Sequence, residues 1–69
     1  MVQIFKTNVT NKKEAKLLAV ILSKENPDYN INFDLDDCDN ILRIENVEIK
    51  NHCIITCLQE LGYTCEILN

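Results

Sequence analysis

The sequence predicts a single small α+β domain whose elements follow the order strand, helix, strand, strand, helix, strand. Residues 29–35 alternate apolar and polar side chains throughout, which is typical of a strand with one buried and one solvated face. Residues 54–61 instead place apolar side chains at i, i+3, i+4 and i+7, the spacing of one helix face. A chain of 69 residues has room for one such domain, spanning 1–69.

The first strand is expected over residues 1–7, with Val2 and Ile4 pointing towards the core. That phase places Phe5 on the open face of the sheet, as a candidate contact surface. A β-bulge near residues 6–7 is the alternative, and it would turn Phe5 inward. RNA-recognition motifs stack bases on aromatic side chains at such a place. However, a net charge of −4 disfavours nucleic-acid binding, which needs clustered Lys and Arg.

A helix is expected next, over about residues 11–24. Asn11 and Glu14 have the spacing of a capping pair, in which the Asn side chain accepts from a backbone N–H and the Glu side chain reaches back to the cap. The helix is expected to stop at residues 26–28, because the proline there disfavours a helical conformation in the residue before it.

The same helix is apolar around its circumference over residues 17–22. If one face packs on the sheet, Leu17 and Val20 point outward and Ile21 lies at the margin. An exposed apolar patch often marks an interface, which predicts a homodimer or a protein partner bound through this helix. Single exposed aliphatic side chains on a small protein are the alternative. The inward face would consist of Ala15, Leu18, Ala19 and Leu22.

The second half of the chain continues with the alternating strand at residues 29–35 and a turn at residues 36–40, rich in Asp and Asn. The return strand, at residues 41–45, is expected to bury Leu42 and Ile44.

A second helix is expected over about residues 48–61, and Gly62 supplies its left-handed exit. Residues 63–68 then form the last strand. The inward face of this helix is predicted to consist of Ile54, Cys57, Leu58 and Leu61.

Right-handed crossovers place both helices on one face of a four-stranded antiparallel sheet with the strand order 4-1-3-2. The predicted architecture is therefore a ferredoxin-like βαββαβ sandwich.

With its elements in this order, the chain resembles the heavy-metal-associated domain of copper chaperones and metal-pumping ATPases. That family reads Met-Thr-Cys-x-x-Cys after its first strand, where this chain reads Val-Thr-Asn-Lys-Lys-Glu at residues 9–14. The apolar helix positions of the family correspond to Leu18 and Leu22. Its apolar–Gly–aromatic ending of the second helix corresponds to residues 61–63.

Asn11 and Glu14 stand at the two ligand positions of that family. Cu(I) prefers soft thiolate ligands, which neither side chain provides. The resemblance therefore implies a relative that has lost the CxxC motif and binds no metal or cofactor. Such relatives are known mainly as uncharacterised bacterial proteins.

Four cysteines remain to be explained. No secretory signal is visible at the N-terminus, so a cytoplasmic setting with free thiols is expected. Cys38 falls in the turn at residues 36–40, at the same end of the domain as the start of helix 1 and Tyr63. His52 and Cys53 fall at the other end, about 20 Å away for a strand that rises ~3.3 Å per residue. Cys57 and Cys65 fall at inward positions, so we expect both to act as small apolar side chains of the core.

The sequence contains no pattern of catalytic residues, and it has no apolar stretch of the ~20 residues that a membrane span needs. The favoured function is a non-enzymatic interaction module with a degenerate metal site. The alternative is a metal-handling or redox protein that uses Cys38 or Cys53, assisted by His52, across a dimer.

Overall fold

The computed structural model of the protein describes residues 1–36 and 40–68. Its elements follow the predicted order, and the predicted fold class is confirmed. They are β1 (Val2–Thr7), α1 (Lys12–Glu25), β2 (Asn30–Asp34), β3 (Ile41–Glu45), α2 (Asn51–Glu60) and β4 (Cys65–Ile67).

The four strands form one antiparallel sheet in the order β2-β3-β1-β4, which is the predicted order read from the other edge. The pairing of β1 with β3 runs without interruption from Val2↔Glu45 to Lys6↔Ile41. Helix α1 lies against β2, α2 lies against β4, and the two helices contact each other. One sheet face is thus covered, and the other is open.

The core lies between the helices and the covered sheet face. The predicted burial of Leu42 and Ile44 on β3 is confirmed. The core cluster consists of Phe5, Val9, Ala15, Leu18, Leu22, Leu42, Ile44, Ile54, Leu58 and Cys65.

The predicted phase of β1 is wrong. Phe5 is fully buried, whereas Val2 is 55% exposed and Ile4 is half-buried on the open face. The continuous β1–β3 register shows that no bulge turns Phe5 inward. An aromatic ring buries more apolar area than Val or Ile does, so the phase that buries Phe5 is favoured. The predicted contact surface at Phe5 is therefore corrected.

This phase also turns Thr7 inward, where its hydroxyl needs partners. Thr7 Oγ1 donates to the Asn40 carbonyl at 2.7 Å and accepts from the Val9 N–H, with N and Oγ1 3.2 Å apart. The buried polar group is therefore satisfied. The bond to the Asn40 carbonyl, which also accepts from the Thr7 N–H, ties the residue before β3 to the end of β1.

Helix α1 begins and ends where the local signals indicate. Asn11 Oδ1 accepts from the backbone N–H groups of Lys13 and Glu14, at 2.8 and 3.2 Å. At the other end Asn26 donates both its backbone N–H and its side-chain Nδ2 to the Leu22 carbonyl. Pro27 follows directly.

Helix α2 is shorter than predicted and begins at Asn51. Ile54 and Leu58 are buried as expected, and Cys57 is half-buried. Leu61 is 46% exposed, contrary to the prediction, because the helix ends before it and Leu61 occupies the C-cap. Gly62 has φ +93°, which confirms the left-handed exit.

No helix within residues 1–36 and 40–68 is long and apolar enough to cross a membrane. The predicted turn at residues 36–40 is described only at its two ends. Cys38 lies outside the described residues.

Candidate functional site

The first candidate region is the start of α1, where the resembling family carries its metal clamp. Asn11 directs its side-chain oxygen at two backbone N–H groups of the helix. The Glu14 side chain lies close enough to the phenol of Tyr63 to affect its protonation. Partial burial raises the pKa of Tyr63, and the hydrogen bond and charge of Glu14 raise it further. Both positions are thus occupied by contacts that hold the fold together.

Hydrogen bonds join the surrounding loops at this end of the domain. Asn8 Oδ1 accepts from the Thr64 N–H at 2.9 Å, which connects the segment after β1 to the segment before β4. The backbone carbonyl of Asn40, the last residue of the predicted turn at 36–40, accepts hydrogen bonds from Thr7. The prediction that this turn, Tyr63 and the start of α1 share one end is confirmed for Asn40 and Tyr63.

The described cysteines do not form a metal centre in the monomer. His52 and Cys53 lie in the first turn of α2, at the predicted position, and both are exposed. Cys65 is buried in the core, as expected. Within residues 1–36 and 40–68, no group of three or more His, Cys, Asp or Glu side chains is placed to hold a metal ion.

The surroundings of the two inner cysteines keep their thiols protonated. Burial, with a smaller contribution from Glu66, raises the pKa of Cys65 to about 12. Burial also raises the pKa of Cys57, as do the charge and hydrogen bond of Glu25. Since the thiolate is the nucleophile and the metal ligand, both residues suit a structural role.

The second candidate region is the outer α1 face, defined by Leu17 and Val20. They are 62% and 51% exposed, as predicted, and Ile21 lies half-buried at the margin. Lys13 and Lys24 are exposed on the same side of the helix. This surface is therefore a small apolar patch beside basic side chains.

A third region was not predicted from the sequence. The α1–β2 groove, with a volume of about 400 Å³, lies between α1 and the edge strand β2. The groove exists because of the distance between α1 and β2, and the periodicity of the sequence does not reveal that distance. Its walls are Lys12, Ala15, Lys16 and Ala19 on the helix and residues 31–36 on the strand side.

Comparisons with known proteins add no relative to this picture. No family model matches the chain, and neither the curated proteins nor the solved structures contain a significant match.

Proposed function

We propose that this domain is a non-enzymatic protein-interaction module of the cytoplasm. The observation that carries the proposal is the exposure of Leu17 and Val20 on the outer α1 face. The core already takes three other side chains of this helix, Ala15, Leu18 and Leu22. Leu17 and Val20 are thus apolar where the fold does not require it, and exposed apolar patches often mark binding sites.

The charge around this patch indicates the kind of partner. Lys13, Lys16 and Lys24 are exposed on α1, although the whole chain has a net charge of −4. A second copy packed through the same face would bring lysines of one helix near lysines of the other, which is unfavourable. The partner surface is therefore an apolar one bordered by Asp or Glu, on a different protein.

We further propose that the chain is a relative of the heavy-metal-associated domains that has lost its metal clamp. The ferredoxin-like fold supports this relation, although a shared fold alone does not transfer function. Asn11 and Glu14 support the loss, because their side chains stabilise the helix start and contact Tyr63. The domain would then keep the architecture of a metal carrier and use its surface for contacts.

Site-specific photocrosslinking in cells tests the proposed surface. A photoreactive amino acid at position 17 is expected to give a covalent adduct with another protein. Val47 provides the matched control, because it is 93% exposed and apolar but lies outside α1. Adducts at neither position, or equally at both, would contradict the proposal. An adduct with a second copy of the chain would replace the partner by a homodimer.

Metal handling or redox chemistry in trans is the second candidate function. The exposure of Cys53 next to His52, in the first turn of α2, favours it. A thiol and an imidazole at the surface could complete a site with groups from another molecule. Cys38 would be the other thiol for such a site.

A further inference from the structure

We propose that the α1–β2 groove binds an extended segment of a partner protein, which adds a strand to the free edge of β2. Peptide recognition of this kind combines backbone hydrogen bonds along a sheet edge with pockets for alternate side chains. The site is separate from the outer α1 face, so it neither requires nor excludes a partner there.

The edge of the sheet at β2 offers backbone groups to a further strand. Strand β2 lies at the end of the sheet order, and within the described residues it pairs with β3 alone. Backbone N–H and C=O groups alternate in direction along a strand, so part of those in β2 point away from β3. Natural edge strands are often protected by Pro, Lys, bulges or very short length. The five residues of β2, Asn-Ile-Asn-Phe-Asp, contain no Pro or Lys and pair with β3 in unbroken register.

An apolar surface lies beside this edge. Ile31 and Phe33 face α1, and Leu35 follows at the same alternation; all three are only partly buried, although they pack against the core. Ala15 and Ala19 stand opposite them on the helix, and their short side chains leave the groove open. A further strand would place alternate side chains into this space and complete the burial of the groove wall.

The charge of the helix wall of the groove specifies the occupant. Lys12 and Lys16 line the helix side of the groove and are exposed. Asp34 and Asp36 also line the groove, on the strand side. Asp34 alternates with Phe33, which faces α1, so its side chain lies towards the open face of the sheet, and Asp36 lies beyond the end of β2. We therefore infer an extended segment that places an apolar side chain over Ala19 and an Asp or Glu beside the two lysines. A second copy fits less well, because the inward-facing residues of its own β2, Ile31 and Phe33, provide no acidic side chain for the two lysines.

A synthetic peptide tests the proposal by NMR with the isotope-labelled full chain. The probe is a capped peptide of the sequence Thr-Val-Thr-Glu-Thr-Val-Thr. The largest amide shifts are expected in Asn30–Asp34 and in the first half of α1. Replacing the probe's glutamate by lysine should weaken binding, and N-methylation of alternate backbone nitrogens should abolish it. Shifts centred on Leu17 and Val20, or equal binding of the lysine peptide, would overturn the proposal.

Charge reversal on the protein gives a matched pair of variants. Lys16→Glu is expected to weaken binding of the acidic peptide about fivefold, since an exposed ion pair contributes up to ~1 kcal/mol. Lys13→Glu makes the same charge change on the same helix but outside the groove, and it should change binding less than about twofold. Equal effects of both variants would overturn the assigned contact. Both side chains are exposed, so folding is preserved in each.

No binding of the probe at millimolar concentration would also overturn the proposal, as would self-association of the free chain through β2. Neither result would affect photocrosslinking at Leu17, so failure of the groove and failure of the outer α1 face remain distinguishable.

Discussion

Replacing Phe5 with alanine is expected to remove a large part of the stability of this domain. Phe5 is fully buried in the middle of the sheet, opposite Leu42 of β3 and Ile67 of β4. Truncating a buried Phe to Ala lowers the free energy of unfolding by about 3–5 kcal/mol, because apolar burial is lost and a cavity remains. At ~0.05–0.15 kcal/mol per residue, the whole domain has about 3–10 kcal/mol. The variant should therefore be strongly destabilised or unfolded.

Val2→Ala is the matched control on the same strand. The Val2 side chain is more than half exposed, so its truncation should lower the free energy of unfolding by less than about 1 kcal/mol. Phe5→Leu keeps most of the apolar volume and should fold with a smaller loss than the alanine variant. It provides a measurable value if Phe5→Ala does not fold.

Urea unfolding followed by far-ultraviolet circular dichroism measures these differences as shifts in midpoint at unchanged slope. A loss for Val2→Ala as large as that for Phe5→Ala would refute the reasoning, since it would mean that β1 has the opposite phase. A loss below about 1 kcal/mol for Phe5→Ala would refute it as well.

Three further predictions concern the helix cap and the cysteines. Asn11→Ala removes the acceptor of two backbone N–H groups and should lower the free energy of unfolding by about 1 kcal/mol. The control Asn32→Ala, at an exposed position outside the helix, should change the free energy of unfolding little. The pKa of Cys65 lies at about 12 in the folded chain against 9.0 as its ordinary value, so the folded state holds the proton more tightly. Its contribution to stability should be complete below pH 9.0 and decline between pH 9.0 and about 12; unfolding midpoints across this range should decline less in Cys65→Ala. Titration of the reduced protein with Cu(I) or Zn(II) against a competing chelator should show no tight stoichiometric binding. Tight binding that is lost in the Cys53→Ser variant would instead favour the metal-handling function.

The outer α1 face could be predicted from the sequence, whereas the α1–β2 groove could not. Leu17 and Val20 follow from helix periodicity once one face is assigned to the core. The groove depends on how far β2 extends beyond the helix and on the short side chains of Ala15 and Ala19, which are properties of packing. The contact of Glu14 with Tyr63 likewise joins residues far apart in the chain.

The sequence by itself determined what local chemistry controls. The helix start at Asn11, the exit at Gly62 and the strand at Ile41–Glu45 all depend on side chains acting within a few residues of the backbone they direct. Only the tertiary structure decided the phase of β1, because apolar residues occur on both of its faces and alternation alone supports either choice. The larger area that Phe5 buries against the neighbouring strands and helices selects the observed phase.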